Sequence, residues 1–225
     1  MNSYAEIVAI VEGKTEQIFI QELVSPYLTQ KNIYMTPIII SKPGQKGGDV
    51  KFSRVINDIE LHLKQRKDTF LTLFVDYYGI KKDWPGLKVA KKQLFPDKKA
   101  EKINTATKEH VNKLFGKYNS DNRFIPYIAM HEFEALLFSD PYELSKQLQV
   151  SQKEIDKILK VCGDPEKIND SPSFSPSKRL QKLSSRFKKT TTGITVAKNI
   201  GLIKIREACP VFNKWLTEIE QSIES

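Results

Sequence analysis

Four short apolar runs, each followed by a helix-like pattern, fill the first 140 residues and leave few architectures open. They lie at residues 4–11 (YAEIVAIV), 33–40 (IYMTPIII), 70–75 (FLTLFV) and 123–130 (RFIPYIAM). Rich in β-branched and aromatic residues, they read as buried strands. Between them, residues 14–30 place Ile18, Phe19, Leu23, Val24 and Tyr27 at helical spacing, and residues 50–66 do the same with Phe52, Val55, Ile56, Ile59 and Leu63. A third helix is predicted over 100–115, and another over 131–138. Strands that alternate with helices and are apolar on both faces imply β-α units in a covered parallel sheet, so the expected class is α/β. Pro37 puts part of the second strand at an edge or an irregularity. Residues 41–49 and 77–99, rich in Lys, Pro and Gly, read as loops.

From residue 140 the periodicity is helical throughout, with candidate helices at 142–148, 151–161, 176–187, 196–209 and 211–223. Residues 162–175 form the clearest loop, and Ser175 or Ser173 suits the cap of a helix carrying Pro176 near its first position. The expected organisation is an α/β domain over 1–139 with a helical extension over 140–225 packed on it. The chain of 225 residues is 40% hydrophobic and 28% charged, within the range of globular proteins. It has no apolar run long enough for a bilayer span and no signal-like start, which leads us to expect a cytoplasmic protein with no membrane role. Cys162 and Cys209 stand far apart, outside any C-x-x-C pattern, and read as reduced thiols.

Lysine and arginine number 36 against 27 acids, a net charge of +9 that favours polyanionic partners. Lys81 and Lys82, with Lys88, Lys91 and Lys92, surround Trp84 and Phe95. That loop suits a phosphate backbone with stacked, unpaired bases, or is simply a solvated face. Lys178, Arg179, Lys182, Arg186, Lys188 and Lys189 gather on one helix and its exit, opposite Leu180, Leu183 and Phe187. This basic amphipathic helix fits nucleic-acid phosphates or an acidic partner better than a membrane surface, because the fold itself uses its apolar face.

Against this basic background, acids stand at the strand ends, where open α/β sheets keep their ligands. Glu12 ends the first strand, Asp76 ends the third and Glu132 follows the fourth. Glu16 lies one helical turn after Glu12, while Glu134 and Asp83 are further candidates. Each has a plain structural alternative, as a first-turn acid or a cap. Acids at three of the four strand ends together point instead to carboxylates gathered around a cation, Mg²⁺ or Mn²⁺, that would hold a phosphodiester and activate water. Lys14 could steady a phosphate. His131 could move a proton or contact phosphate, or serve only as a packed residue. Gly13-Lys14-Thr15 is no P-loop, since the glycine required five positions earlier is Val8. His131-Glu132-Phe133-Glu134 likewise lacks the second histidine of a zinc-hydrolase motif.

Val11-Glu12-Gly13-Lys14-Thr15-Glu16 resembles the first motif of the Toprim superfamily. Phe74-Val75-Asp76-Tyr77-Tyr78-Gly79 resembles the second, an Asp-x-Asp at a later strand end, with Tyr78 in place of the second acid. His131-Glu132-Phe133-Glu134 and Ser175-Pro176-Ser177-Lys178-Arg179 are similar to an uncharacterised bacterial branch commonly encoded beside an ABC-type ATPase, as in two-gene anti-phage defence systems. The resemblance implies a Toprim fold, a divalent metal and cleavage or transfer of DNA or RNA phosphodiesters. It also implies Glu12 as general acid-base or metal-facing glutamate, Asp76 as a metal ligand, and an ATPase partner. With Tyr78 there, either Glu132 or Glu134 supplies the missing acid, or the site holds a single metal, or it is inactive. A non-catalytic Toprim-fold subunit that regulates an ATPase is the alternative reading; a primase- or topoisomerase-like transferase fits less well.

Overall fold

In the computed structural model, residues 4–41, 50–168 and 174–222 are described. Residues 42–49 of the expected 41–49 loop, residues 169–173 of the 162–175 loop, the alternative cap Ser173 and Ile223 lie outside them. The four apolar runs form one parallel sheet of β1 (Ala5–Val11), β2 (Ile33–Ile39), β3 (Thr69–Asp76) and β4 (Phe124–Ala129), in the order β2-β1-β3-β4. From β1 the chain moves one way to β2, then crosses back to β3 on the other side of β1. The topological switch point therefore falls between the ends of β1 and β3, next to Glu12 and Asp76.

Alternation along each strand assigns the two faces. Ile10 of β1, Leu71, Leu73 and Val75 of β3, and Phe124 and Ile128 of β4 point to one core. It is filled by α3 (Phe52–Gln65), α4 (Leu87–Ala90) and α5 (Pro96–Phe115). Ile7, Ala9, Val11, Phe74, Ile125, Tyr127 and Ala129 point to the other core. There the helix after β1 is joined by the C-terminal helices. That first helix runs through α1 (Lys14–Phe19), a π-helical stretch Ile20–Val24 and α2 (Ser25–Thr29). The later helices are α7 (Pro141–Leu148), α8 (Gln152–Cys162), α9 (Pro176–Leu183), α10 (Ile194–Ile200), α11 (Leu202–Ala208) and α12 (Pro210–Gln221). A short helix, α6 (Ser120–Arg123), leads into β4.

Helix α12 seats its aromatics on the sheet. The Trp215 indole lies parallel to Tyr127 with centroids 4.8 Å apart and donates Nε1–H to Thr72 Oγ1 at 2.8 Å. Burying the aromatic body while its one donor is satisfied is the arrangement that makes tryptophan favourable in a core.

Both sheet edges are blunted. Pro37 sits in edge strand β2, as expected for a proline in a sheet. On β4, Pro126 has no N–H to offer, and Asn104 Oδ1 accepts the Ile128 N–H at 3.1 Å.

Four expectations need correction. Trp84 is not exposed among the lysines: it is 3% accessible and donates Nε1–H to Thr107 at 3.0 Å, held by a turn in which Gly86 (φ 77°) packs directly on α5. The loop over 77–99 contains α4, and α5 starts at Pro96 rather than 100. The helix read over 131–138 is a 3-10 segment, Phe133–Ser139, buried on nearly every side. The helix read over 196–209 is two, broken at Gly201 with φ 79°.

Glu166 ties the turn after α8 to the start of α12. Its two carboxylate oxygens accept Val211 N–H at 2.7 Å and Phe212 N–H at 2.9 Å, although the side chain is almost fully buried. Burial lifts its pKa from 4.5 to about 7 against those two bonds, with Asp164 and Asp97 adding to the rise. A carboxyl raised on folding stabilises the fold fully below its unfolded value and ceases to do so as pH climbs through the folded one. Stability should therefore fall by roughly 3 kcal/mol between about pH 4.5 and 7 on this group's account. Urea unfolding across that window should show a flatter profile for Glu166→Gln than for wild type; parallel profiles would assign the pH dependence to other groups.

Candidate active site

The site begins where β1 stops. Gly13 turns the chain into α1, which sets Glu16 within its first turn, facing back toward the strand ends, 7% accessible. Glu12 itself folds over the turn that follows β3. In that turn Gly79 N–H returns to Asp76 O at 2.9 Å, and the Asp76 N–H approaches Glu12 Oε2 at 3.4 Å. The glycine leaves room for that carboxylate: a Cβ built on Gly79 would stand under 3 Å from Glu12 Oε2, Cδ and Oε1. Asp76 Oδ1 in turn accepts the Phe133 N–H at 2.9 Å, fastening the end of β3 to the segment after β4. Glu134 lies inside that segment, with its side chain only 1% accessible.

Glu12, Glu16, Asp76 and Glu134 thus converge on one crevice, and their charges act on one another. Burial, followed by Glu16, Glu12 and Glu134, holds Asp76 well above the usual carboxylate range. Burial, then Glu12, raises Glu16. Burial also raises Glu134, and its one cationic neighbour opposes that rise.

The neighbour is Lys189, whose Nζ stands 2.6 Å from Glu134 Oε1. Burial works against its positive charge, but Glu134, Asp76 and Glu132 outweigh this and raise its pKa. Lys189 opens a π-helical turn, Lys189–Gly193, which runs into α10 and packs against α1. The sequence placed it in the basic cluster at the exit of α9, not beside the acids. Its run, Lys188-Lys189-Thr190-Thr191-Thr192-Gly193, has neither strand nor helix periodicity, and only its place at the end of a basic cluster hinted at it.

Glu132 stands at the rim. Its Oε2 accepts the Ser177 N–H of the α9 N-terminus at 2.9 Å, a favourable place for a carboxylate. Ser175 caps the same helix, as expected. His131 is buried and its ring stacks on Tyr78 at 5.7 Å. The remaining candidates lie apart from the crevice. Lys14 is exposed and donates to Gln17, Asp83 accepts the Ser53 N–H at the start of α3, and Lys82 points to solvent. Lys81 is half-buried on the same loop. Lys178, Lys182 and Arg186 are exposed, and Arg179 half-exposed, along α9 and its exit, with Leu180 and Phe187 turned inward.

Among the described residues, no three acidic, histidine or cysteine side chains close into a finished metal cage. The donor set nonetheless matches a hard divalent cation: all its donors are oxygens, and Glu134 Oε2, fully buried, has no hydrogen-bond partner among the described residues.

Solved structures of the C-terminal region of the Xanthomonas campestris pv. campestris OLD protein are similar to this chain at 13% and 14% identity, covering 98% of it and 97% of their own length. Their TM-scores, 0.45 and 0.41, are too low to support an argument. Comparison with curated proteins returned no match. A model described as a domain of unknown function, DUF4276, matches residues 11–220, nearly the whole length, and the chain therefore belongs to the DUF4276 family.

Proposed function

We propose that this chain is a divalent-metal-dependent phosphodiesterase of the Toprim type that cleaves nucleic acid, working as the effector of an ATPase-linked defence system. The observation that carries the reading is the convergence of Glu12, Glu16, Asp76 and Glu134 at the switch point of the sheet, offset among the described residues by Lys189. Carboxylates are gathered against their own repulsion where a cation and an anionic substrate are to be held, and functional sites are where such pKa shifts cluster. The Toprim resemblance of the first two motifs and the basic face of α9 point the same way.

In this reading Asp76 and Glu134 hold the Mg²⁺ or Mn²⁺, with Glu12, Glu16 and Glu132 in support. When bound, the cation supplies an activated water and neutralises charge on the phosphoryl oxygens. The chain's own part is positional. Phe133 N–H fixes the Asp76 carboxylate through Oδ1. The glycine turn fixes Glu12 as the acid-base group. Lys189 remains protonated beside Glu134 and offers its ammonium to a non-bridging oxygen of the phosphate. Lys178, Arg179, Lys182 and Arg186 carry the flanking backbone by charge.

The deciding assay is cleavage of plasmid DNA and total tRNA with Mg²⁺, Mn²⁺ or EDTA, comparing wild type with Asp76→Ala. Metal-dependent cutting by wild type should be lost in the variant, and whichever nucleic acid is cut names the substrate. Equal cutting by both proteins would refute the assignment. The second reading, a non-catalytic subunit regulating an ATPase, draws on the aromatic Tyr78, stacked on His131 beside Asp76. Calorimetric titration of the same two proteins with Mn²⁺ separates the two: binding that needs Asp76 favours the enzyme, and no binding by either protein favours the scaffold.

A further inference from the structure

We infer that Phe174 and Arg179 form a stacking platform for an unpaired base, so that the substrate is single-stranded, or locally unpaired, where it enters the site. The inference rests on the nucleic-acid reading above and specifies its substrate. Phe174 is 58% accessible, with the Arg179 guanidinium 5.7 Å from its ring centroid. Arg179 is itself pinned, because its Nε–H donates to Phe174 O at 3.0 Å. The guanidinium is thus held over the Phe174 ring before any ligand arrives.

Its position ties it to the acids. Phe174 precedes Ser177 by three residues, and the Ser177 N–H holds Glu132 at the rim of the crevice. Beyond it, Lys178 and Lys182 continue the charge along the exposed side of α9.

Other exposed aromatics do not share this setting. Tyr4 and Tyr34 pack on each other at the opposite end of the sheet. Phe95 borders a hollow that also holds Asp97, the Asp164–Lys167 ion pair and the buried Glu166, a lining in which acids outnumber bases. Tyr142 lies on α7 under Lys146. Phe174 combines exposure, a fixed cation and a basic track leading from the acidic crevice. Every base has a π face to lay on such a ring, but a paired base keeps its face inside the duplex, so this platform selects unpaired strands.

Fluorescence anisotropy in EDTA tests this without cleavage. The probes are fluorescein-labelled single-stranded DNA and RNA of mixed sequence, and a duplex of the same sequence. Wild type should prefer a single strand. Phe174→Ala should weaken that binding by about ten- to a hundredfold, the size of one base-on-aromatic stack, with little change for duplex. Phe174→Trp should keep the affinity, and single strands but not duplex should quench its added fluorescence. Lys178→Ala should weaken both forms alike and reduce the salt dependence. Unchanged single-strand affinity in Phe174→Ala, or an equal loss for duplex, overturns the platform while leaving the nuclease reading intact. No binding of any nucleic acid by wild type overturns both.

Discussion

Alanine at position 79 is expected to leave the fold standing and remove the activity. Gly79 lies outside the left-handed region of backbone space, so alanine there carries no conformational penalty. Its backbone is fixed on both sides, since Gly79 O accepts the Val50 N–H at 3.1 Å and its own N–H closes the turn on Asp76. What the methyl group would meet is the Glu12 carboxylate, with Oε2 at 2.2 Å and Cδ at 2.8 Å. The flexible side chain gives way before the turn does, and Glu12 swings out of the crevice. Misplacing a reacting group by about 1 Å can cost on the order of a hundredfold in rate. Stability should change little, because the group that yields is the end of a flexible side chain and both backbone hydrogen bonds of Gly79 remain. Thermal unfolding beside single-turnover cleavage reads both quantities. The shorter Glu12→Asp, combined with Gly79→Ala, should recover part of the rate. Full activity in Gly79→Ala would mean that the position of Glu12 is irrelevant to the chemistry.

The second large effect runs in the opposite direction. Asp76→Asn should stabilise the metal-free protein while abolishing cleavage. Asparagine keeps the oxygen that accepts the Phe133 N–H, so the link from β3 to the segment after β4 survives. It removes a carboxyl whose ionised form is opposed by burial and by Glu16, Glu12 and Glu134. Relief of such repulsion is worth roughly 1–2 kcal/mol at an effective dielectric suited to protein sites, or about 3–6 °C in Tm for a chain of this size. The measurement is thermal unfolding at pH 7.5 in EDTA and again in excess Mg²⁺. In Mg²⁺ the wild type should gain more than the variant, because only its acids bind the ion fully. A variant less stable than wild type in EDTA would show that the carboxylates are not in strain. The trade is the familiar one in which a site is kept functional at the expense of stability.

The sheet could be read from the sequence because its strands are buried on both faces, and continuous apolar runs such as FLTLFV leave little else to form. The strand ends followed from the same pattern, which is why Glu12, Asp76 and the Glu132–Glu134 segment could be named. Other features depended on contacts between distant parts of the chain. The segment after β4 is buried on nearly every side, so HEFEALLF looked helical by composition, although such burial suits a short 3-10 piece as well. Trp84 was hidden among lysines; its spacing with Leu87 and Ala90, all three buried on α5, was the missed signal. Lys189 reaches the acids through a π-helical turn, which has no sequence periodicity to betray it. The role of Gly79 is legible only once Glu12 is seen lying across it.

The place of Lys189 bears on how the protein is made. Ribosomes deliver the chain N-terminus first, and the lysine emerges long after Asp76, on the order of ten seconds later at ~5–20 residues per second. During that interval the nascent polypeptide carries its acids without their counter-cation and without α9, whose start holds Glu132. Under the proposed hydrolase reading, the site is thereby withheld from assembly until α9 and Lys189 have emerged, and fragments left by termination before that point lack the parts that complete the crevice.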